Sequence, residues 1–139
     1  MNMEKLFQIR FLAKAERLCL VRILVKEMAQ SVGCCVDLSE KLVIAVNEAC
    51  MNIIQHAYKG DESGEIVFEM LNNEKELYFR LIDYAEPIDL GSVKPRDLND
   101  IRPGGLGTHF IAEIMDEHDM GHLDEGKGNY LEMKKKINK

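Results

Sequence analysis

Two segments whose apolar residues recur at every second position constrain the fold of this chain most strongly. The alternating residues are Ile66, Phe68 and Met70 in the first segment, and Leu77, Phe79 and Leu81 in the second. Asn72-Asn73-Glu74 lies between them, which favours a β-hairpin. Each strand of this hairpin is expected to place one face on a core and to leave the other face more polar.

Helical and strand-like patterns flank the hairpin on both sides. The patterns predict a strand at 5–11, helices at 13–32 and from Asp37 to about Tyr58, a helix at 105–116, and strands at 117–123 and 129–137. Asp37 is predicted to be the N-cap of its helix, with Glu40 completing a capping box. This order predicts an α+β fold, a two-layer α/β sandwich with helices on one face of a mostly antiparallel, mixed sheet.

Size and composition limit the possible classes of protein. A chain of 139 residues is expected to form a single domain over 1–139. No membrane span or signal peptide is recognisable, so we expect a cytoplasmic protein with no membrane partner. The net charge of −6 argues against direct nucleic-acid binding. The four cysteines are expected to be buried free thiols rather than disulfides or zinc ligands.

The segment from Tyr84 to Pro103 lacks periodicity and contains all three prolines. It is too long for an ordinary connection, so it is either disordered or a lid over a site. Because it directly precedes a glycine run, 84–104 is predicted to be a lid. In that run, Gly104, Gly105 and Gly107 open onto a helical pattern. Free N–H groups at such a helix start favour a phosphate, although glycine before a helix is also a common turn.

A polar edge interrupts the apolar helix 38–58. Glu48, Asn52 and His56 are spaced four residues apart and therefore line up along one side. One interpretation is structural, with these groups capping loops or facing solvent. The other is functional, because an amide oxygen suits Mg²⁺ and a carboxylate one turn away can accept a proton. His56 is expected at a pocket rim or in a structural role.

Asp83 lies where the second hairpin strand ends and the irregular segment begins. An aspartate between apolar neighbours can accept hydrogen bonds from the amino group of a base. The alternative is an aspartate that only initiates a turn.

These three features, in this order, resemble the N box and the two glycine boxes of the GHKL (Bergerat-fold) ATP-binding family. The string from Asn47 to Tyr58, NEACMNIIQHAY, is similar to that of the anti-sigma factor serine/threonine kinase branch. The resemblance implies ATP and Mg²⁺ as ligands, with Asn52 on the metal and Glu48 as the base. It further implies that Asp83 and Ala85 bind adenine. The phosphate loop is implied to be Gly104, Gly105, Leu106, Gly107 and Thr108.

One position departs from the family pattern, since Ala85 stands where the first glycine box has glycine. A left-handed backbone at this position would cost an alanine about 1–2 kcal/mol. The neighbouring Pro87-Ile88-Asp89 resembles the Pro-Phe-Asp of many regulatory members.

The resemblance implies a kinase that transfers the ATP γ-phosphoryl group to a Ser or Thr of an anti-anti-sigma (STAS-type) antagonist. A sigma factor or other regulator is the second implied partner, and a homodimer is a further possibility. Two alternatives stay open. One is a non-catalytic, nucleotide-gated regulator that sequesters a partner, and the other is a detached histidine-kinase ATP domain.

Overall fold

A computed structural model of the protein describes residues 3–87 and 106–137, with side chains omitted at 106–109. The strands are β1 (Glu4–Leu12), β2 (Glu65–Asn72), β3 (Glu76–Asp83), β4 (Glu117–His122) and β5 (Asn129–Lys136). The α-helices are α1 (Leu18–Ser31), α2 (Val36–Asn52) and α3 (Leu106–Ile114). A 3-10 turn over Ala15–Arg17 precedes α1, a second one covers Asp124–Gly126, and a π-helical segment over Ile53–Ala57 continues α2.

The five strands form one sheet in the order β1-β2-β3-β5-β4. All four pairings between described strands are antiparallel. The predicted α+β class and the layer of helices beside a mostly antiparallel sheet are confirmed, and the described residues contribute no parallel pair.

Period-two alternation places Ile66, Phe68 and Met70 of β2 on the same face of the sheet as the alternate residues of β3. In β3, the residues Leu77, Phe79 and Leu81 are fully buried, while Tyr78 and Arg80 between them are only partly buried. The helices contribute Leu18, Val21 and Val25 from α1 and Leu42, Val46 and Ala49 from α2 to the same core. The core therefore lies between the helices and one face of the sheet.

Two helix starts differ from the sequence expectation. The predicted helix 13–32 begins later, because Ala13 is buried and donates its N–H to the Gly64 carbonyl at 2.8 Å, which prolongs the path of β1. The cap predicted at Asp37 is wrong. The N-cap is Cys35, whose Sγ accepts the Leu38 N–H at 3.4 Å, and Asp37 lies in the first turn beside Lys41.

The cysteine prediction holds in part. All four thiols are free, and Cys34 and Cys50 are buried, but Cys19 and Cys35 are exposed. Cys35 is exposed because it caps α2 at the helix surface, and Cys19 lies on the solvent side of α1.

Candidate functional site

Helix α2 lies between α1 and α3 and contacts both of them. The side facing α1 is marked by Asn47, whose Oδ1 accepts a hydrogen bond from Arg22 of α1 at 2.9 Å. At 3.6 residues per turn, Glu48 and Asn52 are rotated from Asn47 by about 100° and 140° around the helix axis. The predicted acid–amide pair therefore lies on the flank that turns away from α1 and toward α3.

Helix α3 begins at Leu106, with Gly107 and Thr108 in its first turn. The structure thus brings the flank of α2 that carries Glu48 and Asn52 beside the helix that follows the glycine run. Gly104 and Gly105 lie outside the described residues, as does the predicted lid apart from its first four residues, Tyr84 to Pro87.

The three residues of the polar edge differ in exposure. Glu48 and Asn52 are half-buried, and the Oδ1 atom of Asn52 is buried, whereas His56 is exposed in the π-helical segment. The difference in exposure separates Glu48 and Asn52, as candidates for chemistry, from the exposed His56.

Asp83 is the last residue of β3 and is only 4% exposed. Its Oδ1 atom accepts two hydrogen bonds, from Asn129 Nδ2 at 2.8 Å and from the Ala85 N–H at 3.1 Å. Among the described residues no donor reaches Oδ2. The carboxylate is therefore anchored through one oxygen, and its second oxygen is available to a donor from a ligand.

The environment of Asp83 opposes its charge. Burial raises the pKa of this carboxyl above its ordinary value, and the hydrogen bonds from Asn129 and Ala85 partly offset the increase. A buried, pKa-shifted carboxylate at a strand end is a typical feature of a binding site.

Ala85 occupies its position without backbone strain. In the part of the chain that the structure describes, Lys59 and Glu125 are the non-glycine residues with positive φ, so Ala85 is not left-handed. The cost of about 1–2 kcal/mol for an alanine with a left-handed backbone therefore does not arise at this position.

Two residues of this site were missed at the level of sequence. Asn129 is 2% exposed, and its Nδ2 atom also donates to the Glu86 carbonyl at 3.2 Å. Gly128 has φ +144°, and a Cβ there would lie 2.2 Å from the Asp83 carbonyl oxygen. Only glycine permits this close approach of β5 to the end of β3. The signal available in the sequence was a polar residue directly after a glycine, at the first position of an alternating strand.

A separate cavity of about 540 Å³ opens on the other face of the sheet. Its lining includes four carboxylates, those of Asp116, Glu117, Asp119 and Glu132. A ligand carrying several phosphates would be repelled there. This cavity is therefore not a competing location for a nucleotide.

Within 3–87 and 106–137, no group of three or more His, Cys, Asp or Glu side chains is arranged to hold a metal ion. Over the same part of the chain, no helix combines the length and apolar character needed to cross a bilayer.

Comparison with known proteins shows the family to which this fold belongs. The family model described as the histidine kinase-like ATPase domain matches residues 11–135. The chain belongs to this family, as the resemblance predicted.

Curated relatives identify the branch. The serine-protein kinase RsbW of Listeria monocytogenes is 37% identical over 122 residues, covering 82% of this chain and 77% of the relative. The protein of the same name from Bacillus cereus is 36% identical over 122 residues, covering 82% and 75%. The predicted kinase branch agrees with these names.

Solved structures agree on the fold. A chain of the SiaB–SiaC complex from Pseudomonas aeruginosa superposes with a TM-score of 0.71 at 14% identity, covering 96% of this chain and 91% of the other. The mycobacterial sensor histidine kinase MprB superposes with a TM-score of 0.55 at 11% identity, covering 94% and 97%.

Proposed function

We propose that this chain is an ATP-dependent serine/threonine protein kinase of the anti-sigma factor type. Its substrate is an anti-anti-sigma (STAS-type) antagonist, and its second partner is a sigma factor or another regulator, so that phosphorylation exchanges one partner for the other. The observation that carries the proposal is the buried Asp83 carboxylate, which Asn129 and the Ala85 N–H anchor through one oxygen. Glu48 and Asn52, on the flank of α2 that turns toward α3, support it. The kinase names of the relatives support it.

Asp83 is proposed to recognise adenine. Its Oδ2 atom accepts the purine 6-amino group while Oδ1 stays bound to Asn129 and to the Ala85 N–H. Because Ala85 donates its N–H to the same carboxylate, the turn after β3 and the acceptor are held together. The triphosphate is proposed to extend from here toward the start of α3, and the phosphate loop is proposed to be Gly104, Gly105, Leu106, Gly107 and Thr108.

The residues beside α3 fit a nucleotide-bound divalent cation. The Asn52 side chain offers a neutral, hard oxygen ligand, which suits Mg²⁺ when the nucleotide supplies further oxygens. When bound, Mg²⁺ neutralises charge on the phosphates. The chain's own contribution is to orient the triphosphate from α2, on the side opposite the Arg22–Asn47 contact.

Glu48 is proposed to be the catalytic base. The substrate hydroxyl oxygen forms a bond to the γ-phosphorus, its proton passes to the Glu48 carboxylate, and the bond from the γ-phosphorus to the bridging oxygen of ADP breaks. Most of the rate enhancement in such a transfer comes from positioning and charge stabilisation, so few residues act chemically.

Phosphoryl transfer to a purified cognate antagonist tests this assignment, with Glu48→Gln beside wild type. The matched control is Glu40→Gln, an exposed glutamate on the same helix. We expect E48Q to lose transfer by about a hundredfold or more while ATP still binds, and E40Q to keep it. Full transfer by E48Q contradicts the role of Glu48.

The two alternatives give different results in the same assay. A purely sequestering regulator binds its partner without transferring phosphate. The strain at Ala85 that would have favoured this alternative is absent. A histidine-kinase ATP domain yields acid-labile phosphate, whereas phosphoserine and phosphothreonine survive acid.

The proposal includes three further points: a single domain with 84–104 as the lid, a homodimer, and a cytoplasmic location. The family resemblance supports them.

A further inference from the structure

Tyr58 lies directly after the π-helical segment, six residues beyond Asn52. Its hydroxyl donates a hydrogen bond to the Glu65 carbonyl at 2.5 Å and accepts one from the Tyr84 N–H at 2.8 Å. The ring rests against Gly64, where a Cβ would lie 2.3 Å from the Tyr58 ring. The same side chain therefore contacts the start of β2 and the residue that follows Asp83.

The hydroxyl takes a position that the sheet itself would otherwise fill. The last pair of the β2–β3 ladder is Ile66 with Asp83, so one further step would place Glu65 opposite Tyr84. In a continued antiparallel ladder, the Tyr84 N–H would donate directly to the Glu65 carbonyl. The Tyr58 hydroxyl is inserted between these two groups and holds the end of β3 away from β2.

We infer that Tyr58 is a positioning residue for adenine recognition. By inserting its hydroxyl between β2 and Tyr84, it fixes where β3 leaves the sheet, and hence where the Asp83 carboxylate and the Ala85 N–H lie. This inference rests on the proposed role of Asp83.

The connection along the chain gives the inference a second consequence. Asn52 and Tyr58 lie at the two ends of one seven-residue stretch. The side chain proposed to orient the phosphates and the side chain inferred to position the adenine site therefore belong to the same short segment. π-Helical turns are frequent at functional sites, and here the widened turn separates the two. Burial also raises the pKa of Tyr58, so the hydroxyl keeps the proton that it donates to Glu65.

The test compares binding of ATP with binding of inosine 5′-triphosphate, which has an oxygen in place of the purine 6-amino group. Wild type is expected to prefer ATP. Tyr58→Phe, which removes only the hydroxyl, is expected to weaken ATP roughly two- to twelvefold and to leave the inosine nucleotide unchanged. A side chain that only stabilised the fold would weaken both nucleotides together.

A second variant reaches the same contact while keeping the hydroxyl. Gly64→Ala drives a Cβ into the Tyr58 ring and is expected to reduce the ATP preference in the same direction. The matched control is Tyr78→Phe, since the Tyr78 hydroxyl donates to Glu132 between β3 and β5, away from Asp83. Y78F is expected to keep the wild-type preference.

The outcomes separate this inference from the proposed function. Wild-type protein that binds both nucleotides equally contradicts adenine recognition by Asp83, and the Tyr58 inference with it. A wild-type preference that persists unchanged in Y58F overturns only the positioning role of Tyr58. Equal weakening of both nucleotides by Y58F also overturns it.

Discussion

The Nδ2 atom of Asn129 donates a hydrogen bond to Oδ1 of Asp83 at 2.8 Å, within the pair that ends β3 in its ladder with β5. Both side chains are almost completely buried. Because burial penalises an ionised carboxylate, a donor at this distance is needed to keep Asp83 charged. The pair therefore links the stability of the sheet to the chemistry of the candidate site.

Replacing Asn129 by alanine is expected to lower the free energy of unfolding by about 1–3 kcal/mol, because the Asp83 carboxylate loses a buried donor. It is also expected to weaken ATP binding, since Asp83 is no longer oriented. Urea unfolding measures the first effect and nucleotide titration the second.

Asn73→Ala is the control for this variant. Asn73 accepts the Lys75 and Glu76 N–H groups at 2.8 Å in the hairpin turn, at the opposite end of β3. This variant is expected to lose stability but not ATP affinity. If N129A kept full ATP affinity, or if N73A lost as much affinity as N129A, the specific link between Asn129 and the site would be wrong.

Asp83→Asn is expected to separate stability from binding. The amide oxygen still accepts the bonds from Asn129 and Ala85, and the buried charge is removed, so D83N is expected to be at least as stable as wild type at pH 7. Adenine binding is expected to fall because an NH₂ group replaces the acceptor Oδ2. Thermal unfolding with and without ATP measures both effects.

The difference in stability between wild type and D83N is expected to depend on pH, because the pKa of Asp83 is raised. The folded state holds this proton more tightly than the unfolded state. The favourable contribution of the Asp83 proton to the free energy of unfolding is therefore complete below the pKa of the unfolded state. It is lost as the pH rises through the pKa of the folded state. Relative to D83N, wild type is expected to lose stability with increasing pH across that window. A difference that stays constant, or that changes in the opposite direction, contradicts the assignment.

The cysteines are expected to divide into two reactivity classes. Burial raises the pKa of Cys50 to about 12, and Cys34 is also buried, whereas Cys19 and Cys35 are exposed. Iodoacetamide should therefore label Cys19 and Cys35 in the native protein, and all four thiols only after unfolding. Peptide mass mapping identifies the labelled residues, and native labelling of Cys50 would contradict its position in the core.

The elements that the sequence predicted best are those specified by local patterns. The alternation at Ile66, Phe68 and Met70 identified β2, and the asparagines after it identified the hairpin. The predicted start of α2 is wrong because aspartate is preferred over cysteine as an N-cap residue, which favoured Asp37. The helix nevertheless has its N-cap two residues earlier, at Cys35.

The parts of the candidate site that could not be predicted depend on contacts between distant segments. Asn129 reaches Asp83 only through the register of β5 against β3, and nothing near residue 129 specifies that register. Tyr58 reaches Tyr84 from directly after a π-helical segment. That segment has the same apolar pattern as the α-helix that was predicted. Glu48 and Asn52 were identified because their spacing is local to one helix.

Calorimetric titration of ATP, with and without Mg²⁺, into wild type, Asn52→Ala and Asn47→Ala tests the central claim most directly. The two asparagines share a helix but lie about 140° apart around its axis, and Asn47 accepts a hydrogen bond from Arg22 of α1. We predict that N52A weakens Mg-ATP binding about tenfold or more, since a contact to a charged group is worth roughly 1.5–3 kcal/mol, and removes the Mg²⁺ dependence. N47A is predicted to bind Mg-ATP as wild type does. Equal affinities in N52A and N47A, or no binding by wild type at millimolar Mg-ATP, would contradict a nucleotide site on the α3 side of α2.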